Sequence, residues 1–338
     1  MLSHALEPYG SVAQSAHNAN LPHGVAWNLA SIPPDTDHVV LEVAVGRMGQ
    51  SARMARADIA IFTNIAPAHL NETTTPRDIA TTKSAIFQGM APGGVAILNR
   101  DMQEWDVVHA AARKHGLKIV HYGTTGHCEY RLLDYDAQHR RVHASIGGRA
   151  VTYAFKAAGK HMALNSLATL AAIAALGHPL EPALQQLADF VPLPGRGEEH
   201  RLTVGGCTFD LIDDAYNANP ASMAAAFANL GSRAGQGRRI AVLGEMAELG
   251  AEARRFHTEL APLIEANGID RVHVFGALYE DFWTSLPNAR KGCHAASLAE
   301  IKQVFLADLR DGDMVLMKGS NSTRLHTLVA DMKDSCRN

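Results

Sequence analysis

The chain has only four cysteines in 338 residues, Cys128, Cys207, Cys293 and Cys336, far apart and with no CxxC pair. That excludes a disulfide framework and reads as reduced thiols in a cytoplasmic protein. Positive charge is not in excess either. A net charge of −3 gives no basic field for nucleic acid or anionic lipid. No apolar run approaches the roughly 18 residues of a membrane span. The first residues, Met1 to Leu6, lack the charged and apolar regions of a signal peptide. The 18 histidines include no HExxH or comparable metal pattern. A phosphate-binding GxxxxGK[ST] is also missing. The nearest match, Ala154 to His161, lacks the first glycine and ends in histidine.

What is present is globular, with 47% hydrophobic and 19% charged residues. The length exceeds one ordinary core, so two domains are expected. Apolar strands are expected at Val39–Val45, Ile59–Ile65, Val95–Leu98 and Lys118–Tyr122. Helices are expected over about Pro76–Met90 and Gln103–His115, a rhythm that implies a parallel sheet covered by helices. Residues 128–155 read as an antiparallel excursion, and Ala163–Leu176 as a buried helix. Pro192-Leu193-Pro194-Gly195 marks a linker, dividing the chain into domains 1–191 and 192–338. The second domain repeats the rhythm, with strands near 208–213, 239–244, 271–275 and 314–317. Its helices are expected near 220–230, 252–267, 297–309 and 322–333, which makes a smaller doubly wound sheet.

The densest polar segment is Asp213-Asp214-Ala215-Tyr216-Asn217-Ala218-Asn219-Pro220, at a strand end before a helix start. Asp and Asn also favour turns and caps, so this run alone does not decide between a site and a turn. Gly244-Glu245 and Lys318-Gly319-Ser320 lie at two further strand ends. In open parallel sheets ligands collect at such ends, which favours a binding site.

These motifs resemble the Mur ligase family of ATP-dependent amide-forming enzymes. The resemblance rests on the Asp213–Pro220 run, on Gly244-Glu245-Met246-Ala247-Glu248-Leu249-Gly250 with His257, and on Lys318-Gly319-Ser320. The first half adds Asn18-Ala19-Asn20, Glu42, Asn64-Ile65-Ala66-Pro67-Ala68-His69-Leu70, Lys83, and Gly159-Lys160-His161 with Asn165. The resemblance implies a P-loop-type central domain, mostly a parallel sheet, followed by a Rossmann-like ligase domain. It implies attack of a substrate carboxylate on ATP to give an acyl phosphate, which an amine then converts to an amide. The closest pattern is addition of D-alanyl-D-alanine to a UDP-MurNAc-peptide. A cyanophycin-synthetase-like ligase for another substrate, and a non-catalytic binding protein derived from a ligase, are the alternatives.

By the same resemblance Glu42, His69 and a carbamylated Lys83 hold Mg²⁺, with His69, Lys83 and Lys318 as catalytic groups. Asn165, His161, Arg196, Asp213, Asp214 and Tyr216 contact ATP. Asn18, Asn20, Asn217, Asn219, Glu245, Glu248, His257 and Ser320 serve the substrates, an amino acid or dipeptide and a carboxylate-bearing precursor. Met162 stands where the family usually has Asn. Because Met1–Leu6 resembles the helix after the family's P-loop, the resemblance implies that the phosphate cradle and its strand precede this sequence or come from a separate polypeptide. The expected consequences are a gap in the first sheet, low stability and little activity for this chain alone.

Overall fold

Parallel strands form where β-branched and apolar residues cluster, and the segments between them become helices. The computed structural model describes residues 1–65 and 75–336. Two compact units emerge: residues 1–65, 75–156 and 161–190 form the first, and 157–160 with 191–336 the second.

The first unit begins with α1 (Leu2–Leu6), β1 (Val12–Gln14), α2 (Pro22–Ser31), β2 (His38–Val40), α3 (Met48–Ala55) and β3 (Ile59–Phe62). After α4 (Pro76–Ser84) come β4 (Val95–Asn99), α5 (Trp105–Lys114) and β5 (Lys118–Gly123). Strands β6 (Tyr130–Asp136), β7 (Arg141–Ile146) and β8 (Arg149–Ala154) follow, then helices α6 (Lys160–Ala175) and α7 (Glu181–Asp189). Strands β3 to β6 pair in parallel, and β6 to β8 antiparallel, as the turn-rich 128–155 segment suggested.

This sheet is not continuous. Strands β1 and β2 pair only with each other, separate from the six-stranded β3-β4-β5-β6-β7-β8 sheet. Between the two lies a cavity of about 770 Å³, walled by Val39 to Val43 on one side and Ile59 to Asn64 on the other. The gap expected in the first sheet is therefore present. It also explains a difference from the sequence reading: Val39–Val45 does not form a long buried strand. Only His38–Val40 is extended into a ladder, and Val39 is 44% exposed. A strand with a partner on one edge alone loses half its ladder and much of its burial. Likewise Ile59–Ile65 shortens to Ile59–Phe62, and the helix from Pro76 gives way after Ser84 to a 3₁₀ turn, Ala85–Gly89.

The second unit comprises β9 (Glu198–Val204), β10 (Cys207–Asp214), α8 (Pro220–Gly231), β11 (Arg239–Gly244), α9 (Ala253–Thr258), α10 (Ala261–Ala266) and β12 (Arg271–Phe275). It ends with α11 (Glu280–Ser285), β13 (Lys291–Ala295), α12 (Leu298–Asp308), β14 (Met314–Lys318) and α13 (Leu325–Ser335). Its sheet is unbroken in the order β13-β12-β11-β14-β10-β9, parallel except for the antiparallel β9–β10 pair. Alternate residues of β11 enter opposite cores. Ala241 and Leu243 join Phe227 and Tyr279, while Ile240 and Val242 join Phe209 and Phe305.

The single helix expected over 252–267 is broken in two, because Pro262 cannot donate a backbone hydrogen bond and opens α10. Among the described residues no helix is long and apolar enough to cross a membrane. All four cysteines are free.

Candidate active site

In the second unit the parallel register brings three strand ends together: Asp214 of β10 faces Lys318 of β14, which faces Leu243 of β11. Lys318 is 2% exposed. Its ammonium donates to Asp214 Oδ2 at 2.8 Å and to the Asn217 carbonyl at 2.9 Å. A charge so buried is tolerable because both its partners are fixed by the fold. The pair holds the Asp214–Asn217 loop against β14.

Asp213 and Asp214 do not act together. Successive strand residues point to opposite faces, so Asp213 turns away from Lys318. It meets Lys333 Nζ of α13 at 3.1 Å instead. Only Asp214 belongs to the Lys318 side.

The linker docks on the same loop. Gly195 accepts a hydrogen bond from the Tyr216 amide, and the Gly197 amide donates to the Asp213 carbonyl. Gly195 has φ +75°, and a Cβ there would stand 3.0 Å from the Tyr216 Cβ, so both conformation and space call for glycine. The turn lays the Arg196 guanidinium 4.2 Å from the centre of the Tyr216 ring. That stacking joins a cation to a flat aromatic surface at the strand end.

Other sequence-predicted residues have structural duties. Asn219 caps α8, accepting from the Ser222 amide in a reciprocal capping box. Asn217 accepts from the next amide, Ala218. His257 is fully buried, accepting from the Met246 amide through Nε2, while Nδ1 lies 2.6 Å from the Ala253 carbonyl. Burial pushes its imidazole toward the neutral form. It therefore shapes the 245–249 loop from beneath. Ser320 Oγ accepts from the Ala247 amide and fastens that loop from the other side. Glu245 accepts from the Leu278 amide, where Gly276 leaves the room a Cβ would take from its carboxylate. Glu248 is exposed at φ +61°, so it and Glu245 share a loop, not a helix face.

In the first unit, Glu42 and Lys83 line the same cavity as the open strand edges. Asn20 Nδ2 donates to Glu42 Oε1 at 2.9 Å, and the Asn20 amide donates to the Asn18 carbonyl. Burial holds the Lys83 ammonium below the usual lysine value, which favours a neutral, nucleophilic amine. A carboxylate such as that of Glu42 is a hard oxygen donor of the kind suited to Mg²⁺. His161 and Asn165 lie one turn apart on α6 and share a face. His69 lies outside the described residues.

Several contributors were missed by sequence reading: Lys333, Gly195 and Tyr279. The buried Tyr279 hydroxyl donates to the Gly244 carbonyl at 3.0 Å. Nothing local to their sequence announces these roles, because each acts through a residue at least 20 positions away. Only Gly195, following Pro194, had a signal as a turn former.

Two α/β units, one with an acid–lysine pair at parallel strand ends and one with a carboxylate and a lysine in a single cavity, are what the resemblance to ATP-dependent amide-forming ligases implies. Residues 1–173 match the Mur ligase middle domain, and residues 200–321 match the glutamate ligase domain of Mur ligases. The chain belongs to the Mur ligase family. It is similar to the UDP-N-acetylmuramoyl-tripeptide--D-alanyl-D-alanine ligase of Bacillus subtilis, at 30% identity over 96% of this chain and 70% of the relative. The Escherichia coli enzyme of that name is 26% identical over 99% of this chain and 74% of its own. In fold it resembles MurF from Acinetobacter baumannii, with a TM-score of 0.87, 24% identity and coverage of 98% and 73%. MurF from Thermotoga maritima in complex with ADP gives a TM-score of 0.85, 23% identity and coverage of 99% and 76%.

Proposed function

We propose that this chain forms the central and C-terminal parts of a peptidoglycan ligase that joins D-alanyl-D-alanine to a UDP-MurNAc-tripeptide at the expense of ATP. The observation that carries this is the joining of β10, β11 and β14 ends through Lys318, within the motifs that resemble ligases of that specificity. Arg196 and Tyr216 offer a cation on an aromatic face for the nucleotide, and Asp214 a carboxylate whose position Lys318 fixes. By the family resemblance Glu245 and Glu248 serve the amine substrate, and the contacts of His257 and Ser320 that fix their loop support that reading.

Glu42 and Lys83 are the described residues that would hold Mg²⁺, which supplies charge neutralisation for phosphoryl transfer. A neutral Lys83 amine can add to CO₂, its nitrogen bonding to carbon while one N–H proton passes to solvent, so that the side chain becomes an anionic oxygen donor. Its depressed basicity supports that change. The assignment of His69 to a second Mg²⁺ rests on the family resemblance alone.

The cavity between β2 and β3 supports a second element of the reading. An apolar strand laid there, leading into a glycine-rich phosphate loop, would complete the sheet and the ATP site. An N-terminal extension or a separate polypeptide could provide it. Without that strand, little turnover is expected.

The test is phosphate release by the protein with and without such a strand-and-loop segment, using ATP, Mg²⁺, UDP-MurNAc-tripeptide and D-alanyl-D-alanine. Turnover only with the segment and both substrates supports the reading. Turnover with other amino acids or acceptors in their place would favour a cyanophycin-synthetase-like substrate class. No turnover with any acceptor would favour a non-catalytic binding protein.

A further inference from the structure

The face of β10 opposite Lys318 holds an arrangement that the reaction as described does not use. Asp213, 4% exposed, lies directly across the antiparallel ladder from Glu198 of β9. Like charges in such a pair repel. Here one ammonium separates them: Lys333 Nζ stands 3.1 Å from Glu198 Oε2 and 3.1 Å from Asp213 Oδ2. His200, two residues along β9, places Nε2 2.9 Å from the same Glu198 oxygen. The charged groups facing one another are thus Glu198 and His200 of β9, Asp213 of β10 and Lys333 of α13. A second tie joins the same elements, from Cys336, just beyond α13, to the Thr203 carbonyl of β9.

This cluster sits directly behind the docked linker. Glu198 follows Gly197, whose amide donates to the carbonyl of Asp213 itself, and Tyr216, three residues beyond Asp213, receives the Arg196 cation. Any force that parts Glu198 from Asp213 therefore acts on the Gly197–Asp213 hydrogen bond and the Arg196–Tyr216 stack.

We propose that Lys333 is a positioning residue, whose ammonium clamps the Glu198–Asp213 pair and thereby holds Arg196 and Tyr216 in place at the nucleotide side of the second unit. This rests on the reading of Arg196 and Tyr216 as ATP contacts. The effect is transmitted through the β9–β10 ladder, and Lys333 itself touches neither ATP nor substrate.

The test is site-resolved amide hydrogen exchange on the full chain, read as protection factors at Gly197 and Tyr216, with β11 and β12 amides reporting global opening. Lys333→Met is expected to lower protection at Gly197 and Tyr216 on the order of tenfold, leaving β11 and β12 unchanged. Lys333→Arg should keep it, and Lys333→Met with Glu198→Gln should restore it, because the repelling pair is gone. Unchanged protection in Lys333→Met, loss shared equally by β11 and β12, or no rescue by Glu198→Gln would each overturn the proposal. Should Lys333→Met not fold, Glu198→Gln alone decides: retained protection at Gly197 is expected, and its loss would overturn the clamp. A failure of the ligase reading would show as absent turnover in the strand-completed protein and would leave these protection factors as they are.

Discussion

The two units are built from the same alternation of strand and helix, yet one has a continuous sheet and the other does not. In the second unit every central strand has a neighbour on both edges, and Ile240, Val242, Val315 and Leu316 are fully buried. In the first, β2 and β3 face each other across a cavity, and Val39, of equal apolarity, is nearly half exposed. The difference is not in the residues but in whether a partner strand lies beside them. Apolar patterning marks a strand; pairing decides whether it is buried.

Matched truncations sharpen that contrast most strongly. Leu316→Ala in β14 should cost about 2–5 kcal/mol, because it empties a packed site, whereas Val39→Ala in β2 should cost under about 1 kcal/mol. Urea unfolding of each variant measures both. Equal costs would mean that the gap is closed in solution.

Lys318→Met comes next. It leaves Asp214 and the Asn217 carbonyl without their donor, and a loss of about 3 kcal/mol is expected for breaking a buried pair from one side. The loss should appear in the same unfolding curve as Leu316→Ala and not in signals from the first unit.

The second unit should also be the acid-sensitive one. His273 of β12 is fully buried, 3.2 Å from Asp308, with Arg271 and Arg238 on the same carboxylate. Burial holds its pKa down to about 4, beyond what Asp308 restores. The unfolded chain binds a proton near pH 6.5 that the native state refuses. Stability from this group is therefore full above about pH 6.5 and is lost as pH falls to about 4, by about 3 kcal/mol in all. His273→Leu should flatten that part of the stability–pH curve; an unchanged slope would remove His273 as its source.

The smallest effect expected is at the α8 cap. Asn219→Ala should cost about 1 kcal/mol, and ligase turnover in the strand-completed protein reports any substrate contact beyond capping. Loss of turnover out of proportion to stability would return Asn219 to the substrate side.

Much of this was legible beforehand because the signals are local. The β11, β12 and β14 runs alternate or continue in apolar residues between turn formers, and Asn219-Pro220 announces a helix start. Edge strands β9 and β13 were not read, since Lys291-Gly292-Cys293-His294-Ala295 has no regular period. Among candidate site residues, type and neighbourhood were readable, but orientation was not. Asp213 and Asp214 are adjacent in sequence and serve opposite faces, and the partner that decides Asp213, Lys333, lies in the last helix. His257 has the right spacing for a ligand-facing residue, yet both its ring nitrogens serve the backbone.

The most direct measurement is a calorimetric titration with ATP and Mg²⁺ of this chain and, in parallel, of a form extended N-terminally by an apolar strand and a glycine-rich phosphate loop. Micromolar binding by the extended form alone is the predicted result, with the β2–β3 cavity filled and the Glu42–Lys83 wall in use. Equally tight binding by the chain as it stands would contradict the account, because it would require a phosphate cradle that needs no added strand.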